Sequence, residues 1–316
     1  MGKTVGGTVV GTMKGSAVAV AMAVAAVVAS ALVPAVVFGG FLSMEEGARP
    51  TAMGGAFVGV SDDATAVFWN PAGFGLERGL KLTAMRTRLY SIGGLSEDCV
   101  AVGYSGSRFG VGFGWARTGL ADMYSENTFV VGLGKRLFLD GMALGGAVRI
   151  YDVEAPGYEY YNDPGYNGGD TGYAADLGLL YRGRNWSVGC TVRNLGEPDL
   201  RMIETTETAD PIHTEVRVGG TYTFREVMLI SGEVRRPRQV PGYYEGKTSF
   251  YLGTEIWFFD AFALRSGLYR DRAAAGLGLR VENVMVDAAV ISERRPGNKY
   301  RLSISLDGIP KWGRSE

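Results

Sequence analysis

The chain has 316 residues, 46% of them hydrophobic, and a formal net charge of -1 with 21% charged residues. That length permits one or two globular domains, and the charge balance excludes a nucleic-acid partner, which would call for a basic face. Glycine, at 48 residues, follows no collagen-like or low-complexity period, so it must have a structural use spread along the chain.

Residues 1–40 read as a secretory signal peptide. Lys3 and Lys14 precede an uncharged, Ala/Val-rich run from Ala17 to Phe38, in the order of an n-region and an h-region. Ala29-Ser30-Ala31 has the small-x-small form of a cleavage site, and Gly39-Gly40 is a second candidate. Left uncut, the run is long enough to act as a single-span anchor. No later stretch offers about eighteen uninterrupted apolar residues, so any further membrane insertion must use strands.

Residues 41–77 are expected to form an N-terminal plug, or hatch, segment. Ala52, Gly54, Gly55, Ala56, Ala64 and Ala66 are small enough to let it press closely on a wall or pack on itself. Asp62 or Asp63 is placed to cap a short helical turn over 64–68, and Asn70-Pro71 to stop it, because the residue before proline is pushed out of the helical region.

From 78 to 307 one pattern repeats: short stretches of alternating apolar and polar or small residues, separated by turn formers. In one, Phe250, Leu252, Thr254, Ile256 and Phe258 alternate with Ser249, Tyr251, Gly253, Glu255 and Trp257. About fourteen such stretches can be counted, near 78–91, 98–105, 107–118, 126–137, 140–152, 172–182, 185–194, 213–223, 226–236, 247–257, 260–270, 273–281, 284–293 and 298–306. Many have the length of about ten residues that a tilted strand needs to cross the hydrocarbon layer. The connections segregate by parity: long ones around 153–171, 195–212 and 237–246 fall at one end, tight ones near Ser105-Gly106, Asp140, Gly183-Arg184, Arg225, Phe259-Asp260 and Asn283 at the other. The fold class predicted is all-β, a transmembrane antiparallel β-barrel of about fourteen strands with the plug segment in its lumen, followed by a tail at 308–316.

Period two also assigns the faces. Gly110, Gly112 and Gly114 fall opposite Phe109, Val111, Phe113 and Trp115, and Gly276 and Gly278 opposite Ala275, Leu277 and Leu279, so the inner wall is cut flat, as a plug requires. Cys99 and Cys190 fall on opposite faces, which argues against a disulfide, and match no zinc or redox spacing. The lumen face carries Asp176, Arg193, Glu215, Arg217, Glu233, Arg235, Glu255, Arg265, Arg280, Asp287 and Arg301, and buried charges of both signs are expected to pair across neighbouring strands.

Catalysis has little support. His213 is the one histidine and sits at a strand edge beside a long loop, and no spacing singles out a nucleophile with its base. The loop at 154–171 has acidic and amide oxygens but no EF-hand spacing. No metal, cofactor or enzymatic activity is therefore expected.

The segment from Gly47 to Gly75 resembles the N-terminal signature of the PorV/PorQ group of outer-membrane proteins, relatives of the FadL channels. The resemblance is carried by Gly47-Ala48-Arg49, Met53-Gly54-Gly55-Ala56-Phe57, Asp62-Asp63-Ala64 and Trp69-Asn70-Pro71-Ala72-Gly73. Weaker echoes follow in Asn194-Leu195-Gly196, Glu215-Val216-Arg217-Val218-Gly219, Leu264-Arg265-Ser266-Gly267 and Asp287-Ala288. It implies a bacterial outer-membrane location amid lipid, reached through the signal peptide. FadL implies passive uptake of small hydrophobic ligands, with Met53, Gly54, Gly55, Phe57, Asp62, Asp63, Trp69, Asn70, Pro71, Ala72 and Gly73 as plug or gating residues. PorV implies instead a protein-interaction role, with exported proteins or type IX secretion machinery as partners. Gly308 to Glu316 departs from both families, standing where a terminal aromatic residue is usual.

Overall fold

A strand that enters hydrocarbon must find partners for its N–H and C=O groups on both edges, and a meander can meet that demand only by closing on itself. In the computed structural model it does so where the first barrel strand, β1 (Gly79–Leu89), pairs antiparallel with the last, β16 (Lys299–Ile309), from Leu80↔Ile309 to Leu89↔Lys299. The described residues are 41, 45–90, 92–202, 210–239, 246–293 and 297–309. The expected signal peptide at 1–40 and most of the expected tail, 310–316, lie outside them.

Between the seam strands run β2 (Leu95–Ser105), β3 (Phe109–Leu120), β4 (Tyr124–Arg136), β5 (Met142–Glu154), β6 (Gly169–Arg182), β7 (Trp186–Leu195), β10 (Glu215–Phe224), β11 (Met228–Pro237), β12 (Ser249–Phe258), β13 (Phe262–Tyr269), β14 (Arg272–Val281) and β15 (Val284–Ile291). Each is hydrogen-bonded to its chain neighbours, and together with β1 and β16 they form one closed fourteen-strand barrel. Two short strands, β8 (Asp199–Leu200) and β9 (Asp210–Pro211), make a separate small hairpin in the β7–β10 connection that the sequence pattern did not reveal. Strand β2 begins earlier than expected, and β16 runs to Ile309, into the stretch assigned to the tail.

The connections keep the expected parity. One end has the turns at 106–108, 137–141, 183–185, 225–227, 259–261 and 282–283; the other has the longer links at 155–168, 196–214 and 238–248. Two of the tight turns place non-glycine pairs in the left-handed region, Arg225 with Glu226 and Phe259 with Asp260, the backbone that a two-residue hairpin turn demands. Phe109, Trp186, Phe224, Phe258 and Phe262 flank this short-turn end, where an aromatic girdle sits at a membrane interface.

The pleat sorts the side chains as period two requires. Leu252 is 53% exposed and Ile304 51%, in an outward apolar band that includes Val111, Leu133, Val218 and Leu277, whereas Tyr251, Glu255, Arg301 and Ser303 are buried inside. Among the described residues no helix is long and apolar enough to cross a membrane. Cys99 is buried on the inner face and Cys190 half-buried on the outer, and both are free thiols.

The inner face is narrowed to backbone at particular glycines. A Cβ added to Gly112 would overlap the Phe74 ring, and one added to Gly145 would overlap the backbone at Pro71-Ala72; one at Gly220, on the outer face, would meet only ordinary contacts. Gly112→Val is therefore expected to destabilise the barrel by about 1–3 kcal/mol, as overpacking does, and Gly220→Val to leave it nearly unchanged. Equal unfolding midpoints in denaturant would contradict this assignment of faces. Ile304→Arg, at the middle of β16, is expected to cost about 2–4 kcal/mol in vesicle-embedded protein, the penalty of a cation facing lipid at mid-depth. An unchanged midpoint would mean that this face does not meet lipid.

Candidate functional site

Residues 45–77 lie inside the barrel and meet the wall strand by strand. The chain enters at helix α1 (Ala48–Ala52), which packs on β13 to β16 with Ala48 and Ala52 clustered against Ala289. Gly54 then crosses the β12–β13 wall with φ +63°, so close that a Cβ there would strike the Leu252 carbonyl and the Leu268 amide. The left-handed backbone and this close approach together leave glycine as the residue that fits. Val58 and Gly59 run along β7 and β10, against Gly189 and Gly219. After a bend at Asp62-Asp63 the chain returns through helix α2 (Ala66–Trp69) and a 3-10 turn (Pro71–Gly75) over β2 to β6, with Phe68 on Gly114 and Phe74 on Gly103 and Gly112.

This bend forms differently from the sequence expectation. Neither aspartate caps the helix, which starts at Ala66 with Thr65 at its cap position and no side-chain cap bond; Asp63 Oδ1 instead accepts the Thr65 amide at 2.8 Å and the Thr65 hydroxyl at 2.5 Å just ahead of it. Asp62 is held by Arg49 at 2.5 Å. Burial pushes the Asp63 carboxyl up to about 6, with Arg49 opposing the rise and Asp62 adding to it. Asn70 ends the helix in extended backbone, with φ -157°, ahead of Pro71. Its side chain donates to the Val58 and Leu179 carbonyls, both at 3.1 Å, and accepts the Ala72 amide at 3.2 Å, so it ties the two arms of the segment to each other and to β6.

The lumenal charges do more than pair across neighbouring strands. Glu233 Oε2 accepts the Phe57 and Val58 amides, both at 2.9 Å, while its Oε1 accepts from Arg235 Nε at 2.6 Å. Arg235 in turn donates to the Gly55 carbonyl. Glu255 binds Arg265 at 2.6 Å and Arg49 at 2.8 Å, and Arg265 reaches Asp287 at 2.6 Å. Arg301 joins the Glu45 carbonyl at 2.6 Å and Thr51 at 2.5 Å to Glu97 at 2.8 Å. Asp176 takes Arg149 at 2.5 Å, and Arg149 donates to the Phe68 carbonyl at 2.8 Å. Arg217 pairs with Glu215 on its own strand at 2.8 Å. The wall charges thus supply partners for backbone groups that the irregular segment leaves unpaired.

Arg280 corrects the expectation of an enclosed network: it lies exposed at the short-turn end, its guanidinium 4.1 Å from the centre of the Trp257 ring. Arg149, Glu97, Arg49 and Lys81 belong to the interior set and were missed. Inward parity on β5 would have found Arg149, and the late start assumed for β2 hid Glu97. Lys81 donates to the Asp62 carbonyl at 2.6 Å and pairs with Glu77 and Asp307. His213 stands just before β10, where its carbonyl accepts from Asn194 Nδ2 at 3.2 Å. No group of three or more His, Cys, Asp or Glu side chains among the described residues is arranged to hold a metal ion.

The interior is two-sided. Met53, Phe57, Val67, Phe68, Trp69 and Phe74 of the segment form one apolar cluster with Met85, Ala101, Ala116, Val130 and Ala147 of β1 to β5. The opposite wall, β10 to β16, holds most of the charges described above. Among the cavities that border the segment, two lie at opposite ends of the barrel. One of about 240 Å³ opens at the short-turn end beside Arg49, Asp62, Asp63, Lys81, Trp257 and Leu306. The other, about 60 Å³, lies at the long-loop end beside Glu46, Arg149, Tyr151, Arg193 and Arg217.

No family model and no curated protein matches the chain. Solved structures do. The toluene transporter TodX of P. putida superposes with a TM-score of 0.61 at 13% identity, over 84% of this chain and 99% of that one. The monoaromatic hydrocarbon channel CymD gives 0.57 at 13% identity, over 82% and 96%. At such identities the likeness is one of fold: this chain is a closed antiparallel fourteen-strand β-barrel that shares its overall fold with TodX and CymD.

Proposed function

We propose that the chain is a bacterial outer-membrane channel for passive passage of small hydrophobic molecules, and that the segment at 45–77 is the stopper that must shift for passage. The supporting observation is the apolar layer between the segment and β1 to β5, inside a barrel that shares its fold with TodX and CymD. An apolar solute that entered there would trade contacts with Phe68 and Phe74 for its own, at little desolvation cost, whereas the charged wall would have to strip water or break pairs. The residues named as gating candidates have distinct parts in this reading. Met53, Phe57 and Trp69 supply the apolar surface, Gly54, Gly55 and Gly73 the close backbone passages, and Asp62 and Asp63 the bend beside the inner cavity. Asn70, with Pro71 and Ala72, forms the latch.

The second reading, a PorV-like adaptor for exported proteins, rests on the N-terminal motif alone. Met53, Phe57, Trp69, Asn70, Pro71, Ala72 and Gly73 are all buried in the lumen, so these residues offer no surface to a protein partner. Delivery through an N-terminal signal peptide belongs to the same proposal.

The reading is tested in cells whose lipopolysaccharide-bearing outer membrane lacks its own aromatic channel, by measuring the initial uptake of labelled toluene. Expression of the chain is expected to raise the uptake rate, and Asn70→Ala, which removes the latch, to raise it further. Uptake no faster than in cells with an empty vector would reject the channel. Equal rates for wild type and a correctly folded Asn70→Ala barrel would remove the gating role.

A further inference from the structure

At the long-loop end, two opposite charges face the recess of about 60 Å³ without meeting. Arg193 has a side chain 9% exposed and makes no hydrogen bond among the described residues. Its nearest carboxylate, Asp176 at 4.0 Å, is already committed to Arg149 and to the Asn194 amide. Glu46 is 2% exposed; its carbonyl accepts from Trp69 Nε1 at 2.9 Å, but its carboxylate makes no hydrogen bond or close ion pair among the described residues and feels Arg149, Arg193 and Arg301 only through space. The other charges around the recess are balanced, Arg217 by Glu215 and Arg235 by Glu233.

The wall is built to hold Arg193 there. Ala175 pairs with Leu195 and Leu177 with Val192, so Arg193 and Asn194 together oppose the single residue Asp176, and Asn194 takes a left-handed φ of +58°. This is a bulge, the device by which a strand re-aims a side chain. Glu46 is fixed from the other side, through its carbonyl bond to the buried Trp69. Two enclosed and unbridged opposite charges are costly, and neither is free to collapse on the other. At roughly 10–15 Å³ for each water-sized centre, the space between them admits on the order of five heavy atoms.

We propose that this recess is a binding site for a small α-amino-acid zwitterion, its carboxylate on the Arg193 guanidinium and its ammonium on the Glu46 carboxylate. A lone anion would meet Glu46 and a lone cation would meet Arg193, so a ligand carrying both signs satisfies both residues at once. The site is separate from the apolar layer and does not depend on passage of hydrophobic solutes.

Isothermal titration of the full chain in detergent micelles, with glycine as the probe, tests the proposal. Wild type is expected to bind glycine saturably. Arg193→Gln and Glu46→Gln should each weaken it at least about tenfold, the loss of one charge-assisted contact. The single-sign probes should respond reciprocally: acetate should bind Glu46→Gln more tightly than wild type, and methylammonium should bind Arg193→Gln more tightly than wild type. Circular dichroism would establish that both variants keep the barrel. No saturable glycine binding to wild type, or unchanged glycine affinity in both folded variants, would overturn the assignment.

Discussion

The structure depends on the seam between β1 and β16. Once those strands pair, no backbone donor or acceptor of the barrel is left facing hydrocarbon, and the outward band of Val, Leu, Ile and Phe can meet lipid. Closure also creates a difficulty. A ring of fourteen strands encloses more space than inward side chains of ordinary size can fill, and polar groups inside it must find either water or partners.

Residues 45–77 resolve that difficulty, and their sequence shows how. A segment with little regular structure carries many unpaired amides and carbonyls, which would be unfavourable in an apolar lumen. The charged wall of β10 to β16 supplies what they lack, with Glu233 taking two amides and Arg235 and Arg301 each taking a carbonyl. On the other side the segment turns its large apolar residues to a wall of glycine and alanine, so steric fit replaces polar pairing. The excess of glycine in the chain is explained at these contacts: Gly103, Gly112, Gly114 and Gly145 stand where rings or backbone of the 45–77 segment occupy the place of a Cβ.

Much of this was legible in the sequence because period two is a strong signal when one face meets lipid and the other does not. The strand number, the parity of the connections, the inward glycines and the inward charges of β10 to β16 all follow from it. What the charges bind does not. That Glu233 holds the Phe57 and Val58 amides depends on contacts across 176 and 175 residues of chain, which no local pattern encodes. Arg280 kept the right parity but lies so near the short-turn end that it stacks on Trp257 in the open. The β8–β9 hairpin escaped notice because two-residue strands have no period to read; the tight turns at Arg225-Glu226 and Phe259-Asp260 were legible from the spacing of the strands although they lack the glycine or asparagine that usually marks such turns.

The proposed transport and recognition both turn on the segment being where it is: held by charge on one side, resting on a smooth apolar wall on the other. Cysteines placed at Ala52 and Ala289, which share one buried cluster, would report on this directly in a barrel freed of Cys99 and Cys190. Mild oxidation should then join α1 to β15, seen as an altered mobility that reductant reverses, because the two positions lie in one buried cluster with Ala48 and a disulfide forms only between residues held close together. A folded barrel in which those two cysteines stay unlinked would show that the amino-terminal segment is not seated in the lumen, and the account built on it would fail.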